Sequence, residues 1–239
     1  MKVLVLGASG GIGSAMVKLL ESTEPEWEVH ATYNNNAFST ACQNTFWHPL
    51  DVTSEHEVKA LAAQIGHIDW IINAVGMLHN SDFTPEKRLK QTSSEQFMAS
   101  MQVNALPTLL LAKHFESNLK KSEQPRLVTV SARVGSIEDN RLGGWYSYRA
   151  SKSALNMLIK TISIEWGRTF KKAAIFAFHP GTTDTSLSKP FQANVPEGKL
   201  FTPAYVAQCL ISQIEKSCLQ NESNFNGKFL AYDGSEIPW

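Results

Sequence analysis

Cysteine is scarce in this sequence, and Cys42, Cys209 and Cys218 are odd in number, widely spaced and never in a CxxC pair. That excludes a disulfide framework and a thiolate zinc site, and it is the usage expected of reduced thiols in a cytoplasmic protein. No metal site is expected. Excess charge of one sign is also missing, since 22 basic residues face 22 acidic ones. A net-neutral chain carries no electrostatic footprint for nucleic acid or an anionic membrane, so a small or neutral partner is expected. Long hydrophobic runs are absent. Met1-Lys2-Val3-Leu4-Val5-Leu6 reaches Gly7 after too few apolar residues for a signal-peptide core, and no later stretch attains membrane-spanning length. No repeat, low-complexity tract or Pro/Gly-rich linker divides the chain, and its 239 residues with 43% hydrophobic content predict one domain over 1–239.

What is present is an alternation of short β-rich runs and helix-period segments. Val3 to Leu6 reads as a strand, followed by Gly7-Ala8-Ser9-Gly10-Gly11-Ile12-Gly13 and a helix from Ser14. Glycines at 7, 11 and 13 let the backbone turn sharply and approach a pyrophosphate, while the amides of the helix N-terminus point at its charge; a tight turn of purely structural purpose has the same composition. A second strand, Trp27 to Tyr33, ends at Asn34-Asn35-Asn36. There a carboxylate would bind a ribose 2′-hydroxyl and repel a 2′-phosphate, and its absence favours NADP(H) over NAD(H), although a polar turn also accounts for the asparagines.

Strands at Thr45 to Leu50 and Ile68 to Ala74 follow, with Asp51-Val52 after the first and Asn73-Ala74-Val75-Gly76 closing the second. Thr53 or Ser54 caps the intervening helix. Residues 77 to 92 read as an exposed loop, with Glu86-Lys87-Arg88-Leu89-Lys90 as a solvated face. Ser93-Ser94-Glu95-Gln96 has a capping-box pattern and opens one long helix to about Leu119, bent beside Asn104 because Pro107 cannot donate to the carbonyl of Val103. Strands at Arg126 to Ser131, Ala173 to Phe178 and Lys228 to Tyr232 complete an α/β pattern that predicts a parallel sheet. Residues 186 to 202, with Pro190, Pro196 and Gly198, suit a lid over a cleft.

Between the fifth and sixth strands lies Tyr148-Arg149-Ala150-Ser151-Lys152. On a helix Tyr148 and Lys152 are one turn apart on one face, so a phenol and an ammonium share a site and the positive charge favours the phenolate. On an ordinary surface helix the same pair simply packs stem against ring.

The glycine run, Asp51, Asn73 to Gly76, Asn104, Tyr148 with Lys152, and Pro180-Gly181 together resemble the classical short-chain dehydrogenases/reductases over nearly the whole chain. Val134-Gly135-Ser136-Ile137, Gly143-Gly144-Trp145-Tyr146 and the ending Asp233 to Trp239 are similar to the C-factor group and its sniffer-type carbonyl reductase relatives. The resemblance implies a Rossmann-like doubly wound sheet of seven parallel strands and hydride exchange between a nicotinamide and a small carbonyl or alcohol substrate. It implies that Tyr148 is the general acid/base, that Lys152 lowers its pKa and holds the ribose, and that Asn104 anchors a water. Cofactor contacts are implied for Gly7, Ser9, Gly11, Ile12 and Gly13; for Asn34, Asp51 and Val52; for Asn73, Ala74, Val75 and Gly76; and for Pro180, Gly181, Thr183 and Thr185, besides Tyr148 and Lys152. The family's catalytic serine falls on Ala132, leaving Ser131 as the nearer substitute and Ser136 as the other. Tyr146 reads as a cleft-wall aromatic. A homodimer or homotetramer is implied, and the C-factor likeness keeps open a nucleotide-holding signalling or regulatory protein with little turnover.

Overall fold

The computed structural model describes residues 1–35, 43–219 and 225–239. β1 (Lys2–Leu6) sends Val3 and Val5 into one apolar cluster and Leu4 and Leu6 into another, because successive strand side chains alternate between faces. The same two-sided burial holds for β4 (Trp70–Asn73), β5 (Arg126–Val130) and β6 (Ala174–His179). With β2 (Glu28–Tyr33), β3 (Thr45–Pro49) and β9 (Phe229–Ala231) they form seven parallel strands in the order β3-β2-β1-β4-β5-β6-β9. The expected doubly wound sheet is therefore the observed one. A second, two-stranded pair that the sequence did not signal joins β7 (Thr182–Thr183) to β8 (Leu200–Phe201).

One face of the sheet is covered by α2 (Glu55–Ile65), α4 (Leu106–Leu119) and α5 (Tyr146–Thr169), the other by α1 (Gly11–Thr23) and α6 (Pro203–Leu219). Strand order reverses between β1 and β4, and the strand ends there open the crevice in which such sheets take ligands.

Three local expectations change. The long helix is two, α3 (Ser94–Asn104) and α4, parted at Ala105, since Pro107 near the start of α4 has no N–H to continue the ladder. Ser93 Oγ does cap α3 by accepting from Gln96 N, but the Gln96 side chain donates to Thr84 O, so the reciprocal half of a capping box is absent. Segment 77 to 92 is not a simple solvated loop: Glu86 is buried and accepts from the backbone N and hydroxyl of Ser147. A carboxylate at the first turn of α5 satisfies amides that the helix leaves unpaired. Ser54, not Thr53, caps α2.

Candidate active site

The glycine loop that joins β1 to α1 is tight at three of its glycines. Gly7 has φ +71°, a Cβ on Gly13 would lie 2.3 Å from Gly7 O, and one on Gly11 would lie 2.5 Å from Thr185 Cγ2. Gly10 precedes α1 without a side-chain cap, and the first turn has no acidic residue, so its amides are open to an anion. This cradle fits a dinucleotide pyrophosphate. Asn34 and Asn35 are exposed at the end of β2, while Asn36 and Cys42 lie outside the described residues.

Several of the polar residues singled out in the sequence serve their neighbours. Asp51 Oδ1 accepts from Thr53 N and Oγ1, and Val52 is buried in the core behind it. Asn73 donates to Thr108 Oγ1 and accepts from Val75 N, setting the turn at the end of β4. Asn104 accepts from Met77 N at 2.7 Å and donates to Met77 O and Ser151 Oγ. It thus ties the β4 loop to α5 where the helix parts. Gly76 lies beside Asn104 and Lys152, the position of a Cβ there being 3.6 Å from Asn104 Oδ1 and from Lys152 Nζ, an ordinary contact distance.

A cavity of about 260 Å³ opens beside this loop and gathers Ile12, Ala74, Val75, Gly76, Ser131, Tyr148, Lys152, Pro180, Gly181, Thr183 and Thr185 from five segments of chain. Gly7, Ser9, Gly11, Gly13, Asn34, Asp51, Val52, Asn73 and Asn104 do not line it. Tyr148 and Lys152 are buried, and Lys152 Nζ donates to Val130 O at 3.0 Å and lies 5.8 Å from the centre of the phenol ring. Close approach requires Gly135, whose Cβ would be 2.8 Å from the Lys152 backbone.

The electrostatic expectation needs correction. Burial pushes the phenol of Tyr148 above its usual range rather than below it, and lowers Lys152 to about 8. Desolvation of the charged form is the cause in both cases. Thr183 Oγ1 is buried with no partner among the described residues, an orphaned donor that a bound polar group would satisfy.

Ser131 donates its hydroxyl to Asn156 Oδ1 at 2.7 Å, and Ser136 Oγ accepts from Asp139 N away from the cavity. In this arrangement Ser131's only proton is spent on α5. Tyr146 is exposed and lines a separate shallow groove with Phe97 and Met98; the aromatic wall is Trp145. Trp145 has φ +51°, its ring lies 6.2 Å from that of Tyr148, and Phe191 packs 5.2 Å from it on the other side. Phe191 belongs to segment 186 to 202, which is tied down by the β7–β8 pair and by Asp184 N donating to Phe201 O. Leu187 and Val195 of the same segment also face the cavity, and His79 reaches across to Leu187 O. Glycines 143 and 144 were the signal for the turn before Trp145, but only its tertiary partners show where the ring goes. His179, another wall residue, carries no sequence signal beyond its place beside Pro180.

The short-chain dehydrogenase family profile matches residues 1–196. Benzil reductase ((S)-benzoin forming) of Bacillus cereus is 25% identical, the match covering 89% of this chain and 93% of that protein. The NADPH-bound carbonyl reductase from chicken fatty liver superposes with a TM-score of 0.83 at 26% identity, covering 100% of this chain and 98% of that one. Carbonyl reductase Sniffer of Drosophila melanogaster gives the same TM-score at 22% identity over 100% and 99% of the two chains, a likeness of fold.

Proposed function

The chain belongs to the short-chain dehydrogenase family of oxidoreductases, and from that membership we propose that it is an NADPH-dependent reductase of small carbonyl compounds with Tyr148 as its general acid. The observation that carries this reading is the burial of Tyr148 beside Lys152 in the wall of one cavity. When bound, the cofactor supplies the hydride; what this chain contributes is orientation and a proton.

The glycine loop would hold the pyrophosphate, the β4 loop and Asp51 the adenosine side, and Pro180, Gly181, Thr183 and Thr185 the nicotinamide side. Lys152, which has one hydrogen bond to Val130 O, would direct its remaining donors to the ribose. The missing carboxylate at Asn34 and Asn35, and the NADPH carried by the chicken relative, favour NADPH over NADH. Tyr148, its phenol kept protonated by burial, donates that proton as negative charge develops on the substrate oxygen. Trp145 and Phe191 exclude water and favour a flat or aromatic carbonyl, in keeping with benzil as the substrate named for the bacterial relative. Segment 186 to 202 acts as the substrate lid.

Consumption of NADPH with a panel of aldehydes, ketones and dicarbonyls tests the reading. Tyr148→Phe keeps the packing but removes the transferable proton, so NADPH affinity stays within about twofold while turnover falls about 10²-fold or more. NADH should bind more weakly in the same titration. A second reading, a nucleotide-holding regulatory protein, draws on the commitment of Ser131 to Asn156. NADPH binding without turnover on any carbonyl would make it the better account.

A further inference from the structure

Charge building on a substrate oxygen is best met by fixed donors in a water-poor site, and one phenol is a single donor. The remaining polar groups of the cavity wall are mostly committed. Ser131 gives its proton to Asn156, Lys152 holds Val130 O, Arg133 pairs with Asp139, and Ala132 offers only a methyl. His179 differs.

Val130 pairs with Phe178, and Ser131 N donates to Phe178 O, so His179 stands level with Ser131 on the neighbouring strand. Ile175 and Ala177 belong to the cluster that includes Leu155 and Ile159 of α5, whereas Ala174, Phe176 and Phe178 belong to the opposite one. By the two-residue period of a strand, His179 continues the row that faces α5, the helix of Tyr148. The imidazole is oriented: Arg133 N donates to Nδ1 at 3.2 Å. An Nδ1 that accepts places the hydrogen of a neutral ring on Nε2. Nε2 has no hydrogen-bond partner among the described residues, and His179 is part of the cavity wall.

We propose that His179 Nε2–H is the second hydrogen-bond donor to the substrate carbonyl oxygen, acting beside Tyr148. The assignment rests on the carbonyl-reduction reading and adds to it a role for a further residue of the cavity wall. Burial and the nearby Arg133 charge hold the ring's pKa down to about 4, so at neutral pH it is a donor that keeps its proton. Tyr148 transfers its proton to the oxygen, whereas His179 only stabilises the charge. The reaction's balance is unchanged: one hydride and one proton enter the carbonyl.

Two substitutions separate this from a structural role. His179→Asn can keep an acceptor for Arg133 N but cannot reach with a donor, whereas His179→Gln places an amide N–H near the position of Nε2. With NADPH and benzil, His179→Asn should lower kcat/KM about 10²-fold, mainly in kcat, with NADPH affinity within about twofold. His179→Gln should recover about tenfold of that loss. Turnover in His179→Asn within about threefold of wild type, or a Gln variant no better than Asn, overturns the assignment. Should either variant fail to fold, as judged by melting and NADPH titration, nitrogen NMR of wild-type histidine decides. The His179 Nε2–H signal should shift when benzil is added to the NADP⁺ complex, and an unmoved signal at saturating benzil overturns the proposal. Wild-type protein that reduces no carbonyl sinks the parent reading; turnover abolished by Tyr148→Phe but kept by His179→Asn sinks this assignment alone.

Discussion

Three imidazoles, His30, His48 and His179, are kept neutral, chiefly by burial. His30 Nδ1 and His48 Nε2 lie 2.8 Å apart, close enough to share one proton, and His30 Nε2 meets Glu28 at 2.7 Å. For His179 the ordinary value of 6.5 falls to about 4. Between those two values the unfolded chain binds a proton that the folded chain does not, so stability is present above 6.5 and is lost as pH falls towards 4. A displacement of this size is worth about 3 kcal/mol at most. His30 and His48 shift in the same direction. Urea denaturation at pH 7 and pH 5 should therefore show a marked acid loss, and His179→Gln should remove part of it. A His179→Gln protein with the full wild-type acid loss would place the sensitivity elsewhere.

At the scale of the element, the first turn of α5 decides where Tyr148 sits. Gly143 and Gly144 are left-handed at φ +64° and +66°, and Trp145 follows at +51°, a region that costs a bulky residue roughly 1–3 kcal/mol. Its backbone N donates to Glu86 O at 2.5 Å, and the Glu86 carboxylate takes the amide and hydroxyl of Ser147. One buried glutamate thereby holds both the strained turn and the helix start. Glu86→Ala should cost about 2–4 kcal/mol in chemical denaturation, since it strips donors of a charged partner. Ser147→Ala should cost nearer 1 kcal/mol, because the amide contact survives. A Glu86→Ala loss below about 1 kcal/mol would show that the backbone contact alone holds the turn.

At the scale of the whole molecule, the outward faces of α3 and α5 retain Phe97, Met98, Met157 and Ile164, with Met157 64% exposed. Both helices already contribute to the packing inside, so this apolar surface exceeds what the monomer uses. Exposed apolar side chains on two neighbouring helices suit an isologous contact with a second copy. Light scattering at micromolar concentration is expected to report a dimer or tetramer, and Met157→Glu to lower the mass towards monomer. A monomer in the wild type would remove the expectation.

The alternation of strands and helices, the glycine loop and the Tyr148–Lys152 spacing are local facts, decided by residue type and period within a few positions. For that reason the sequence by itself determined the seven-stranded parallel sheet and the helix face that carries both Tyr148 and Lys152. Other outcomes depend on partners far away in the chain. Glu86 reads as a solvated charge until Ser147, 61 positions on, arrives over it. Ser131 looks free until Asn156 takes its proton. The lowering of the Tyr148 pKa expected from a neighbouring charge gives way to burial, which only the closed cavity supplies. Trp145 meets Phe191, and His179 is turned by the backbone of Arg133, through contacts that no spacing encodes. Tertiary structure decided these because desolvation and the direction of a hydrogen bond are properties of the assembled surroundings, and a linear pattern contains neither.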